Sequence, residues 1–214
     1  MKICERIPLN RGLYMNKVFD FTKDYVLEDD CVLLRPLTMN DCENLLVFSI
    51  YEPEIWKYSL TTASGDGNLE RYIQTAVNAR EALKEYPFIV FDKRTNRYAG
   101  STRFYDIQLP QKTLQLGYTW YGREFWGTGL NKHCKYLLLQ FAFDHLGMER
   151  VEFRADINNE RSIAAMKSIG CIAEGVLRGN TIKRDGTRRD SIILSILRRE
   201  WEGEVQGNLK KKLR

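Results

Sequence analysis

The sequence predicts an α+β fold, a three-layer α/β/α sandwich whose mixed, mostly antiparallel central sheet carries helices on both faces. Three observations predict it. Three period-two apolar stretches cluster between residues 87 and 121, joined by connections short enough for antiparallel hairpins. Stretches of helical period lie both before and after that cluster, so helices are available for either face. The chain has 214 residues with no internal repeat and no interdomain linker, enough for one sizeable domain.

Taken in order, residues 31–37 (CVLLRPL) read as a strand after the Asp29-Asp30 turn. Thr38 or Asn40 can cap a helix whose apolar positions include Cys42, Leu45 and Leu46. Residues 51–67 are irregular and hold Pro53, Trp56, Tyr58 and the SGDG run, as a binding loop would. A second helix is expected from Asn68 to about Tyr86, with Leu69, Tyr72, Ile73, Ala76, Arg80 and Leu83 on one face. The strands 87–92, 98–106 and 113–121 follow. A helix from about Leu130 to Leu146 carries the stripe Leu130, Cys134, Leu137, Leu138 and Phe141, and Gly147 can end it. Residues 151–157 alternate strictly and read as a half-buried strand. Asn158-Asn159 can cap a helix bearing Ile163, Met166 and Ile169, with Gly170 in the C-cap place. Strands 171–178 and 190–197 close the pattern around a polar segment with a DG turn.

The expected organisation is a partly ordered N-terminal extension (1–24), a single domain (25–202) and a basic tail (203–214) whose KKKLR end is solvated and frayed. No signal peptide is read at the start, and either Met1 or Met15 can be the initiator. Hydrophobic residues are 43% and charged residues 29%, a soluble globular balance. No apolar run approaches the roughly 18–20 residues of a membrane span. Cys4, Cys31, Cys42, Cys134 and Cys171 are odd in number and dispersed, which fits a reduced, cytoplasmic protein. No metal is expected, because His133 and His145 have no cysteine or carboxylate partner at ligand spacing. The net charge of +5 is modest, and the basic residues of TIKRDGTRR and the tail match no aromatic–basic motif, so nucleic acid is not an expected partner.

The stretch REFWGTGLN at 123–131 raises the question of ligand. Walker A is absent, and Gly127-Thr128-Gly129 followed by Leu130-Asn131-Lys132 fails the dinucleotide fingerprint. A helix N-terminus still offers free N–H groups and a partial positive charge, and glycines admit close backbone approach. Arg123, Lys132 and Lys135 add mobile positive charge, so a pyrophosphate would suit the spot. An ordinary tight turn explains the same spacing equally well.

The wider context is more specific. RxxWGxGL after a strand ending in GYTWY, then a long helix, an alternating strand and NERSIAAMKSIGCIAEGVLR, together resemble the GCN5-related N-acetyltransferases and, within them, the RimJ/RimL-like branch. The resemblance covers roughly residues 25–202. It implies acetyl-CoA as co-substrate, an amine as acceptor, and a monomer or homodimer. Arg123, Gly127 and Gly129 occupy the spaced positions of the family's pyrophosphate loop, with Trp126, Thr128, Leu130 and Asn131 in the same cofactor-binding stretch. The resemblance also implies that strand 113–121 splays near Tyr118, Thr119 and Trp120, turning N–H groups toward the thioester and the pantetheine amides. Asn159 would contact the CoA arm, and Ser162 would lie near its sulfur as a candidate proton donor. By spacing alone, Asn159 reads equally as an N-cap and Ser162 as a first-turn polar residue. Where many relatives outside the branch place a tyrosine acid, this chain has Met166.

The general base is the departure. Relatives often carry a Glu where this chain has Gln115, which cannot take a proton at neutral pH. Asp106, Tyr105 and Glu54 are candidates elsewhere, beside a water relay. An α-amine has a pKa of about 7.7–8.0 against about 10.4 for lysine, so a site without a strong base suits an α-amine better. Trp56, Tyr58 and Tyr105 are expected in an acceptor cleft, while Phe104 and Trp120 read more readily as core. The functional expectation is direct acetyl transfer in a ternary complex to a protein N-terminus or a small amino compound. The alternative is a non-catalytic CoA-binding regulator on the same fold.

Overall fold

Short alternating segments build the first layer. The computed structural model describes residues 4–6, 19–65 and 67–213, so most of the expected N-terminal extension lies outside the described residues. A three-residue strand β1 (Cys4–Arg6) runs parallel to β2 (Asp24–Glu28), which pairs with β3 (Val32–Pro36). Two helices follow, α1 (Cys42–Tyr51) and α2 (Asn68–Glu81). Then come β4 (Tyr86–Asp92), β5 (Arg97–Gln108) and β6 (Thr113–Tyr121), an antiparallel meander as expected. Helix α3 (Leu130–Gln140) leads to β7 (Arg150–Asp156), α4 (Glu160–Ser168), β8 (Ile172–Ile182) and β9 (Arg188–Leu197). Short helices α5 (Arg198–Glu200) and α6 (Gln206–Lys211) end the described chain. Among the described residues the sheet has nine strands in the order β1-β2-β3-β4-β5-β6-β7-β9-β8.

Alternation along β5 shows how the layers form. Phe104 points toward Phe141 at the end of α3, their rings stacked at 6.2 Å. The neighbouring Arg103 points the other way, toward Tyr72 of α2. Adjacent strand residues face opposite sides, so α2 and α3 cover opposite faces. Tyr25, Tyr86, Phe88, Phe104 and Phe141 are all buried and form an aromatic core on the α3 side. Rings of this size supply much of the buried apolar area of a domain.

Several expectations are corrected. The helix from Asn68 stops at Glu81; Leu83 takes a left-handed φ of 58° and is exposed, and Tyr86 already belongs to β4. Leu46 is exposed rather than on the buried stripe of α1. Strand β2 has no counterpart in the sequence reading, because it is a five-residue segment, DYVLE, with only three apolar residues between two acidic ends. Phe19 and Phe21, placed in the extension, are buried in the core. The polar segment after residue 178 is mostly strand, since β8 and β9 run on to a turn closed by Lys183 N–H donating to the Thr187 carbonyl at 2.8 Å. The tail is not frayed through to 213: α6 buries Leu209, and Lys212 Nζ donates to the Ser168 carbonyl at 2.7 Å, which ties it to the end of α4.

Candidate active site

The site begins as a fault in the sheet. β6 and β7 pair in parallel at only three positions, Thr113–Arg150, Leu114–Val151 and Gln115–Glu152. Beyond them β6 follows β5 and β7 follows β9, so the two diverge. The divergence coincides with a bulge on β6. Gly117 pairs with Arg103 and Trp120 with Ser101, leaving Tyr118 and Thr119 opposite Thr102 alone. Tyr118 holds a positive φ of 49°, which a residue with a side chain adopts only when its surroundings impose it. Here the surroundings are the Arg103 guanidinium, 4.2 Å from the Tyr118 ring centroid, and Tyr105, whose ring meets it edge-on at 5.1 Å. The opened wedge is part of a cavity of about 1100 Å³ that runs from the glycine loop to the β8–β9 hairpin.

At one end of the cavity, Gly127 and Gly129 both lie in the left-handed region, at φ 76° and 89°. A Cβ on either would project into open space, so the backbone face is bare. Among the described residues, the N–H groups of Gly127, Thr128, Gly129 and Asn131 have no protein acceptor. Bare amides at a helix N-terminus are suited to an anion such as a diphosphate. Trp126, Asn131 and Lys132 line this end. So does Arg161, which the sequence reading missed; its guanidinium lies 3.4 Å from the Trp126 ring centroid. Arg123, Thr128 and Leu130 do not line the cavity. The Arg123 N–H is taken by Glu52 at 2.7 Å, the Thr128 hydroxyl donates to the Phe125 carbonyl, and the Leu130 side chain is in the core.

Lys135 overturns its expectation. Rather than a mobile charge, it is 5% exposed, with Nζ donating to Thr119 Oγ1 at 2.8 Å under the bulge. Thr119 Oγ1 shares a further hydrogen bond of 2.7 Å with Thr102 Oγ1. Burial draws the Lys135 ammonium down to about 8. Nothing in the sequence spacing signals this, since Lys135 adjoins the apolar stripe and reads as its solvated margin.

In the middle of the cavity Asn159 and Ser162 come together with Tyr118, Thr119 and Trp120. Asn159 is also the N-cap of α4, accepting the Ser162 N–H at 3.1 Å, so the capping reading holds. Gln115 is buried and its Nε2 donates to Asp106 Oδ2 at 2.7 Å. A carboxylate from β5 therefore touches the side chain that replaces the expected Glu. Tyr105 lines the cavity, but burial pushes its phenol far above neutrality and removes it as a base.

At the far end, Trp56 is 1% exposed and packs against Trp120 at 5.1 Å between ring centroids. It is a core residue with one edge on the cavity, which corrects its place as an open cleft aromatic. Tyr58 is half-buried and lines the cavity with Asn180, Thr181 and Arg189 of the hairpin. The hairpin residues were missed because their segment reads as a polar loop.

Outside the cavity, the expectation that the histidines lack ligand-type neighbours is also corrected. Asp29, Cys31 and His133 gather with ligand atoms within 4.8 Å of one another. His133 Nδ1 and Asp29 Oδ2 lie 2.6 Å apart, which fastens α3 to the β2–β3 turn. The partners are too far apart in sequence for spacing to show it.

Comparison with known proteins decides the family. The acetyltransferase (GNAT) domain family matches residues 32–172. The chain belongs to this family. Its GNAT relatives include a ribosomal N-acetyltransferase assignment, YdaF of Bacillus subtilis, 32% identical over 105 residues that make up 49% of this chain and 56% of YdaF. The N-acetyltransferase p20 of Bacillus licheniformis is 27% identical over 79% of this chain and 94% of p20. A crystal structure from T. thermophilus, described as an acetyltransferase, superposes with a TM-score of 0.79 at 31% identity over 88% of this chain and 97% of that one. Among the described residues no helix is long and apolar enough to cross a membrane.

Proposed function

We propose that this GNAT protein moves an acetyl group from acetyl-CoA to the α-amine of a protein N-terminus or a small amino compound, by direct attack with both substrates bound. The observation that carries the reading is the wedge between β6 and β7, opened by the Tyr118 bulge and continuous with the bare glycine cradle. The Gly127, Gly129 and Asn131 amides, with Lys132 and Arg161, would hold the pyrophosphate. The unpaired edge of β6 at Tyr118, Thr119 and Trp120 would receive the pantetheine arm and the thioester oxygen. Donors fixed in advance on a developing oxyanion supply a large share of such catalysis.

Asp106, hydrogen-bonded to Gln115, is the base that takes the amine proton in this reading, and Ser162 returns a proton to the departing thiolate. An exposed aspartate is a weak base. Near pH 7 about a tenth of α-amines are already neutral, against well under a thousandth of lysine side chains. The pairing of a weak base with an α-amine is chemically consistent. YdaF, assigned as a ribosomal N-acetyltransferase, supports a ribosomal component as one such acceptor.

Thiol release from acetyl-CoA, measured at pH 7 with matched peptides, tests the reading. Peptides with a free α-amine are expected to react at least about tenfold faster than the same peptides blocked at the N-terminus and bearing one lysine. Faster reaction of the lysine-only peptides would sink the α-amine assignment. Tight acetyl-CoA binding with no thiol release for any amine would leave the regulatory CoA-binding reading in its place.

A further inference from the structure

We propose that the acceptor carries a carboxylate close to the amine it presents, and that the Arg189 guanidinium binds that carboxylate. The inference rests on the acetyl-transfer reading for its substrate and on separate observations for its site. Arg189 stands at the start of β9, is 7% exposed and lines the acceptor end of the cavity. Among the described residues its side chain makes one hydrogen bond, a long one from Nη1 to the Tyr58 carbonyl at 3.5 Å, and its buried Nε has no partner.

The rest of the molecule treats its buried arginines differently. Arg103, 3% exposed, is paired with Glu85 at 2.7 Å and lies between the Tyr72 and Tyr118 rings. Even the half-buried Arg35 grips the buried Asp41 with both terminal nitrogens. Arg189 has no carboxylate within ion-pair distance among the described residues. The acid whose field reaches it is Asp156, and that carboxylate is engaged elsewhere. Asp156 Oδ1 accepts from the backbone and side chain of Asn158, and Oδ2 lies 3.6 Å from Lys183 Nζ.

A buried charge without a partner is costly, so a fold seldom keeps one with no use for it. A guanidinium presents a planar fork that matches a carboxylate through two parallel hydrogen bonds. Glu54, Asp106 and Glu160 also line the cavity, and their charges oppose a doubly charged phosphate more than a single carboxylate. Arg189 and Tyr105 feel each other's fields, and Tyr105 directly precedes Asp106 on β5. Asp106 and Arg189 line the same cavity, so an acceptor bound there can offer its amine to Asp106 and its carboxylate to Arg189. That carboxylate has two sources, the α-carboxylate of a free amino acid or an acidic side chain next to a peptide's N-terminal residue.

Calorimetric binding in the presence of CoA at pH 8 distinguishes them. One arm compares L-methionine with L-methioninamide; the other compares Ala-Asp-Ala-amide with Ala-Asn-Ala-amide. In one arm the carboxylate form is expected to bind about 10- to 100-fold tighter than its neutral counterpart. Arg189→Gln is expected to bring that ratio near one, and Arg189→Lys to retain part of it. Ratios near one in both arms with the unaltered protein overturn the proposal without recourse to any variant. A ratio that survives Arg189→Gln overturns it as well. Carboxylate-selective binding without thiol release would remove the acetyl-transfer reading and keep the anion site. Thiol release with no carboxylate preference would do the reverse.

Discussion

At the donor end of the cavity, Gly127 and Gly129 turn a run of main-chain amides toward open space within a few residues of one another. At the acceptor end, Tyr58 comes from the loop after α1, Asp106 from β5 and Arg189 from β9. The first end is main chain and local; the second is side chain and assembled across the whole fold. A main-chain cradle tolerates varied side chains around it, whereas each acceptor contact hangs on one residue identity. That difference teaches which end of the cavity a single side-chain substitution can alter.

Substitutions at each end should therefore separate. Asp106→Asn preserves shape and the contact with Gln115 while removing the proposed base. It is expected to lower kcat by about 10²–10³ with little change in the KM for acetyl-CoA. A fall of less than about threefold would assign the proton to a water relay. Gly129→Val adds a branched side chain at φ 89° and fills the bare face of the cradle. The expected result is a KM for acetyl-CoA higher by about 10- to 100-fold, from strain and blocked approach together. An unchanged KM would reject the cradle and with it the division between the two ends.

The smallest effect is at the seam between them. Lys135 falls from an ordinary 10.5 to about 8 on burial. The unfolded chain keeps its proton up to the higher value, so the unfolded state binds more protons between pH 8 and 10.5 and stability rises across that window. Below about pH 8 the whole penalty is present. Lys135→Met should then stabilise the fold by about 1–3 kcal/mol at pH 7, after loss of the Thr119 hydrogen bond, and by much less above pH 10.5. Thermal melts at the two pH values check the sign. The same variant should lower kcat/KM for acetyl-CoA several-fold if the ammonium steadies the bulge, and an unaltered value would confine Lys135 to a structural part.

The two ends were unequally legible beforehand. The meander, the start of the helix after the glycine loop and the Asn159 cap follow from periodicity and short-range chemistry, and they stand where the residue pattern puts them. The end of α2 does not, because Leu83 continues the helical period while its backbone has already turned left-handed. Trp56 misled because an aromatic residue in an irregular stretch gives no sign that Trp120 will close over it. Arg161 and Arg189 were overlooked, and Lys135 was read as a mobile charge, for one reason: a cation at the edge of a pattern looks solvated until the tertiary neighbours are known. The Asp29–His133 contact spans 104 positions, beyond any spacing rule.

The three-pair seam between β6 and β7 has a further consequence, for lifetime rather than catalysis. A ligand lying along the free edge of β6 binds the folded chain and has no counterpart site in the unfolded one. At a free concentration one hundred times its Kd it adds about 2.7 kcal/mol to folding. Resistance to proteolysis would then track the supply of acetyl-CoA.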